Sequence, residues 1–290
     1  MAEIAGASRT AVLVCQGRAA AHDLVAPDRF ADPTALPLLR EDERVPVRLV
    51  RDGRAPKEWR ARVEFETVKA ITELMVPRTV AIDDAVRARP LPQVVILGAG
   101  LDGRAWRMPE LAGTAVFEVD QPASQADKRA RAAALTGAPP AYVPVDFRTD
   151  DLSAKLAAAG HAGDRPTTWI WEGVVPYLTP AEVEATVGAL AACSAPGSRL
   201  VVNFQLPVPF LKLGFLVARA VSRSAGRSSV FAREPWRSTW TPKAMADLLA
   251  RHGYTVVADQ NMLDTAEGMP VPVQHRRSLA QSQVQVADRD

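Results

Sequence analysis

Val94-Val-Ile-Leu-Gly-Ala-Gly-Leu-Asp-Gly-Arg104 is the stretch on which the reading of this 290-residue chain turns. Val94 to Leu97 run apolar without alternation and stop at glycine, the pattern of a short strand buried on both faces. Gly98 and Gly100 then allow a sharp turn and a close approach of backbone to a ligand, and the residues that follow would aim N–H groups at it. The next apolar run ends at Glu118-Val119-Asp120, twenty positions beyond Gly100. A carboxylate at that distance accepts hydrogen bonds from both hydroxyls of a ribose.

Working outward, the run that includes Gln93–Leu97 has counterparts at Ala115–Val119, Ala141–Val145, Thr168–Trp171 and Leu200–Phe204. Helical stretches separate them. Pro122 to Leu135 is rich in Ala and charge. Thr179 opens a second helix, with Pro180 at its first position and Glu182 completing a capping box, and Gly197 is expected to stop it. Thr241-Pro242 and Gly253 bracket a later one. Strand and helix in alternation predict an α/β fold with a mostly parallel sheet. Upstream, Val63, Phe65, Val68, Ile71, Leu74 and Met75 form the apolar stripe of a helix that Pro77 is expected to end. The expected organisation is a single domain over 1–290. A helical N-terminal cap occupies 1–90, the core 91–204 and 241–290, and an insertion 205–240. That insertion is too long for an ordinary connection and reads as a lid over a site.

Composition narrows the functional classes. The formal charge is +2, without the basic excess of a nucleic-acid binder. Cys15 and Cys193 stand far apart, and His22, His161, His252 and His275 have no metal-ligand spacing, so neither a disulfide framework nor a metal site is expected. The most apolar stretch, Leu206 to Val221, is interrupted by Pro207, Pro209, Lys212, Gly214 and Arg219, which falls short of a membrane span. With no signal-peptide pattern near the N-terminus, the expectation is a soluble, cytoplasmic protein.

The glycine loop and Asp120 suit an adenosine ligand, which belongs equally to a nicotinamide dinucleotide and to S-adenosylmethionine. Read literally, Gly98-x-Gly100-x-x-Gly103 is the dinucleotide fingerprint. Arg104 and Trp106 count against it, being bulky where a closely packed helix favours small residues, as do the roughly 90 residues that precede the loop, where many dinucleotide domains begin close to it. An NAD(P)-dependent reductase and a non-catalytic cofactor-binding protein stay open on this reading.

Longer blocks carry a resemblance. Ile96 to Pro109 (ILGAGLDGRAWRMP), Phe117 to Pro122 (FEVDQP) with Lys128-Arg129, Trp169 to Pro180 (WIWEGVVPYLTP) and Ala195 to Phe204 (APGSRLVVNF) resemble the leucine carboxyl methyltransferase family. The likeness is to its bacterial branch of S-adenosylmethionine-dependent O-methyltransferases. Ser8 to Ala11 (SRTA), Phe30 to Leu39 (FADPTALPLL) and Glu234 to Pro242 (EPWRSTWTP) extend it over nearly the whole chain. One departure stands out: Gly103 replaces a threonine usual in the family.

The resemblance implies a Rossmann-like class I methyltransferase fold with a seven-stranded, mostly parallel sheet and helices on both faces. It also implies site residues. Gly98 and Gly100 form the cofactor loop, Asp120 is the ribose acid, and Asp146-Phe147 read the adenine. Glu172 lies near the amino-acid moiety, and Arg62 is the candidate grip on the cofactor carboxylate. A zwitterion needs one anion and one cation, which Glu172 and Arg62 would supply.

Methyl transfer from a sulfonium is an in-line displacement governed by alignment in a dry pocket. A carboxylate acceptor needs no base, whereas a phenol or alcohol benefits from one. Tyr177 and His275 are the candidates for catalysis, and Tyr177, Arg233, Trp236 and Trp240 for substrate binding. Arginine forks beside aromatic plates suit a small-molecule acceptor such as an aromatic or polyketide-like acid.

Overall fold

The computed structural model describes residues 8–147, 149–207 and 236–290. Seven strands form one sheet: β1 (Gln93–Leu97), β2 (Ala115–Asp120), β3 (Ala141–Pro144), β4 (Thr167–Trp171), β5 (Arg199–Gln205), β6 (Tyr254–Asn261) and β7 (Ser282–Arg289). Their order is β3-β2-β1-β4-β5-β7-β6, parallel from β1 to β5, with β7 antiparallel between β5 and β6. All five apolar runs of the sequence are strands. The last two were not legible, because β6 alternates at a half-exposed edge and β7 carries Gln283 and Gln285 into its buried stretch.

Alternate residues of the central strands feed two separate cores, so helices cover both faces. Val95, Leu97, Trp169, Trp171, Leu200 and Val202 pack with helices α6 (Leu152–Ala158), α7 (Pro180–Ala192) and α8 (Pro242–Arg251). Val94, Ile96, Ile170, Val201, Val284 and Val286 pack with Ala81, Ile82 and Val86 of α3 (Trp59–Arg87) and with α9 (Met262–Glu267) and α10 (Arg276–Ala280). Thr179 caps α7 with its side chain, closes the expected capping box with Glu182, and has Pro180 in the first turn. That helix ends at Ala192, earlier than Gly197 suggested.

α3 also departs from expectation, because it runs for 29 residues straight through Pro77. A proline inside a helix removes one N–H and crowds the carbonyl four residues back, a cost of about 3 kcal/mol. Here Val76, Val80, Ile82 and Val86 are almost completely buried on the turns around it, and that packing outweighs the break. α1 (Arg9–Ala21) and α2 (Glu41–Arg51) pack beside α3 through Leu13, Cys15, Leu38, Val47 and Val68. Among the described residues no helix is long and apolar enough to cross a membrane. Residues 208–235 of the expected lid lie outside the described residues.

Candidate functional site

Strand register brings the candidate acids to one edge. Leu97, the last residue of β1, pairs with Val119 on one side and Trp171 on the other. Gly98 therefore emerges between Asp120 and Glu172, which stand at the carboxyl ends of strands two ladders apart, about 10 Å. Gly98 has φ +61°, and a Cβ built on it would lie 2.4 Å from Val174 Cγ2. Only glycine fits that bend. Gly100 N–H donates to Asp120 Oδ2 at 2.6 Å and Gln121 N–H to Oδ1 at 2.7 Å, so the loop and the acid hold each other. Burial raises the Asp120 pKa, opposed by these two N–H donors and by Lys128. Each carboxylate oxygen keeps a second lone pair for a ligand. Next to it, Val145 N–H donates to Asp120 O, which places Asp146, half-buried, and Phe147, 45% exposed, at the end of β3.

Glu172 is held by two arginines. Arg78 Nε donates to Oε1 and Arg104 Nη1 to Oε2, both at 2.8 Å, and all three side chains are buried. Burial would raise the Glu172 pKa, but Arg104 and Arg78 hold it below the usual carboxylate range. The circuit continues inward. Arg104 also bonds Asp83 at 2.7 Å and Asp102, Arg107 bonds Asp83 at 2.6 Å and approaches Asp32 at 3.7 Å, and Arg18 bonds Asp32 at 2.8 Å. Arg18 additionally donates to Leu101 O at 2.6 Å, tying α1 to the glycine loop. Four guanidinium groups face four carboxylates, so the network is neutral as it stands.

The family model described as leucine carboxyl methyltransferase matches residues 11–191, well over half of the chain.

This chain belongs to the leucine carboxyl methyltransferase family.

A Mycobacteroides abscessus protein provisionally named an S-adenosyl-L-methionine-dependent methyltransferase is 35% identical over 262 residues, covering 87% of this chain and 84% of its own. A Mycolicibacterium vanbaalenii protein of the same description is 38% identical over 268 residues, covering 84% and 86%. In fold, the crystal structure of a provisionally assigned methyltransferase from Thermobifida fusca superposes with TM-score 0.57 at 16% identity, covering 99% of this chain and 97% of that one. The architecture is that of the class I methyltransferases.

The cations beside Glu172 are not the Arg62 expected from the sequence. Arg62 is 47% exposed on its side chain and pairs with Glu66 at 2.8 Å. It precedes Arg78 by sixteen residues on the same helix, about 24 Å along the axis and about 160° around it. The cation beside Glu172 is Arg78, assisted by Arg104. The helical pattern hid Arg78 because, with Pro77 taken as the end, it fell outside the helix.

A dinucleotide fits poorly. The helix after the glycine loop, α4 (Arg104–Arg107), is four residues long. Its first N–H faces the Asp102 carboxylate, Arg104 N–H donating to Oδ1 at 2.7 Å. A pyrophosphate would meet an anion there rather than a free helix N-terminus.

Gly103 has a structural reason in this member. A Cβ at 103 would lie 1.8 Å from Thr34 Oγ1, so the Thr34 hydroxyl, bonded to Asp32 at 2.6 Å, occupies the space of a residue-103 side chain. Gly103→Thr should therefore destabilise the protein by about 1–3 kcal/mol through overpacking. Adding Thr34→Gly should recover most of that loss, read as the urea midpoint of the two variants.

The acceptor candidates divide. Tyr177 is half-buried in the turn Val175–Tyr177 after β4. Residues 236–240 are strapped to that turn: Arg237 N–H donates to Pro176 O at 2.6 Å and Ser238 Oγ to Val175 O at 3.1 Å. Trp236 is therefore brought beside Tyr177's turn. Trp240 packs against the sheet core with its Nε1 on Ser238. Arg233 lies outside the described residues. His275 is clamped by Glu73, through N–H to Oε1 at 2.6 Å and Nδ1 with Oε2 at 2.8 Å. Glu73 sits five residues before Arg78, about 140° around α3, so His275 is held on a different flank from Glu172.

Proposed function

We propose that this chain moves a methyl group to an oxygen that reaches the site already ionised, foremost the carboxylate of a small molecule. S-adenosylmethionine is the cofactor, and when bound it supplies the methyl group on a sulfonium. Gly98 and Gly100 would cradle its chain, Asp120 would take the ribose hydroxyls, and Asp146-Phe147 would lie against the adenine. Glu172 and Arg78 would receive the ammonium and carboxylate. The neutral network suits a zwitterionic amino acid, because the balance of charge is kept when it docks.

One observation carries the choice of acceptor: among the described residues the imidazole near the carboxyl edge, that of His275, is engaged by Glu73 on a flank of α3 turned about 140° from Arg78. His161 lies edge-on to Phe117 and tilted against Trp169 and is bonded to Thr167, at the amino end of β4. His252 follows α8, where Arg289 at the amino edge donates to its carbonyl. His22 ends α1, eleven residues from the Ala11 that touches Gly100, about 16 Å away along the helix axis. His275 is on Glu73. Cys15 and Cys193 are buried, the former deep enough to push its thiol up to about 12. A neutral hydroxyl would want one of these bases, whereas an acid oxygen needs only alignment.

Incubating the protein with cofactor labelled in the methyl group and a panel of matched aromatic acids and phenols tests this. Label should enter the acids as base-labile esters. Label confined to phenolic ethers would overturn the carboxylate reading. Trp236→Ala should raise the acceptor KM about tenfold, the value of one large aromatic contact, while S-adenosylhomocysteine affinity stays within twofold. Unchanged kinetics would remove Trp236 from the acceptor site.

A further inference from the structure

Arg104 stands immediately after the glycine loop, yet nothing in its position lets it reach a ligand directly. Its side chain is 2% exposed, with Nε committed to Asp83 and Nη1 to Asp102 and Glu172. Glu172, 9% exposed, shares itself between Arg104 on Oε2 and Arg78 on Oε1. The two arginines differ in their other partners. Arg104 is pinned from behind by Asp83 of α3 and by Asp102, and its own N–H is fixed on Asp102 Oδ1. Among the described residues Arg78 pairs with no second carboxylate. A zwitterion entering between Glu172 and Arg78 would draw Arg78 toward its carboxylate, and Glu172 would then be held by Arg104 alone.

We propose that Arg104 is the positioning residue that fixes Glu172 to receive the cofactor's ammonium, and that Asp83, anchoring Arg104, carries this constraint from α3. This rests on the reading of Glu172 as the ammonium partner. Arg104 acts through Glu172 and touches no part of the ligand. Its planar fork matters more than its charge, because Nε on Asp83 fixes the plane from which Nη1 meets Glu172, where a rotating ammonium would not. Arg107 makes a useful contrast: it shares Asp83 and the same buried circuit, but its ion pairs are with Asp83 and Asp32 rather than Glu172.

Calorimetric titration distinguishes positioning from a merely structural role. Two probes are used, S-adenosylhomocysteine and its deamino analogue, in which hydrogen replaces the α-amino group. The wild-type protein should prefer S-adenosylhomocysteine, the preference being the worth of the ammonium–Glu172 contact. Arg104→Lys should weaken S-adenosylhomocysteine about tenfold and leave the deamino analogue within twofold. Arg107→Lys should leave the preference intact. Because the preference is a ratio measured within one protein, a partly unfolded population does not imitate it. Asp83→Asn provides a second route should Arg104→Lys fail to fold, and should reduce the same ratio by about threefold. Equal weakening of both probes by the Arg104 and Asp83 variants, or the same loss of ratio in Arg107→Lys, would overturn the positioning role. A wild-type protein indifferent to the amino group would overturn the Glu172 assignment itself, which is a separate result.

Discussion

Arg104→Met should cost about 3–5 kcal/mol of folding stability, because it leaves a cluster of buried carboxylates short of the cation they share. Methionine fills much of the volume and supplies none of the charge. Asp83, Asp102 and Glu172 would then have to share Arg78, Arg107 and Arg18, which already face Glu172, Asp83 and Asp32. A loss of that size is a large part of the 5–15 kcal/mol typical of a folded domain. Urea denaturation reads it directly as a lower midpoint. Arg62→Met is the internal comparison, since the Arg62–Glu66 pair is half-exposed and its loss should stay within about 0.5 kcal/mol. Equal midpoints for the two variants would contradict the network described above.

Asp120→Ala should weaken S-adenosylhomocysteine by two to three orders of magnitude. A hydrogen bond to a charged acceptor is worth about 1.5–3 kcal/mol, and the proposed ribose contact makes two. The loop suffers as well, since Gly100 N–H loses the oxygen it bonds at 2.6 Å. The same group sets a pH dependence. Burial raises the Asp120 pKa against the pull of its N–H donors, so affinity present at neutral pH should fall on acidification, and sooner than for an exposed aspartate. Calorimetry across pH 4–7, at roughly those bounds, checks both. A loss under threefold in the Ala variant, or a flat profile, would remove Asp120 from the ribose.

Where the sequence spoke clearly, it did so through local chemistry. Glycine after an apolar run, an acid twenty residues later, and Thr179-Pro180 with Glu182 each need only neighbours along the chain, and each stands in the structure as expected. The partner of Glu172 was not legible for the opposite reason. Arg78 reaches it across 94 positions, and only the passage of α3 through Pro77 puts Arg78 over the strand ends. A local rule about proline lost to buried packing that no local pattern displays. His275 illustrates the same limit: which flank of α3 it meets is decided by Glu73, 202 residues away. The Thr34–Gly103 exchange is likewise invisible until α1's neighbouring loop is laid on the glycine turn.

The most direct measurement is a crystal structure of the protein with S-adenosylhomocysteine. The account predicts both ribose hydroxyls on the Asp120 carboxylate, the ammonium on Glu172 and the carboxylate on Arg78. A ribose turned away from Asp120, or an amino-acid moiety lying against Arg62 instead of the Glu172–Arg78 pair, would contradict it.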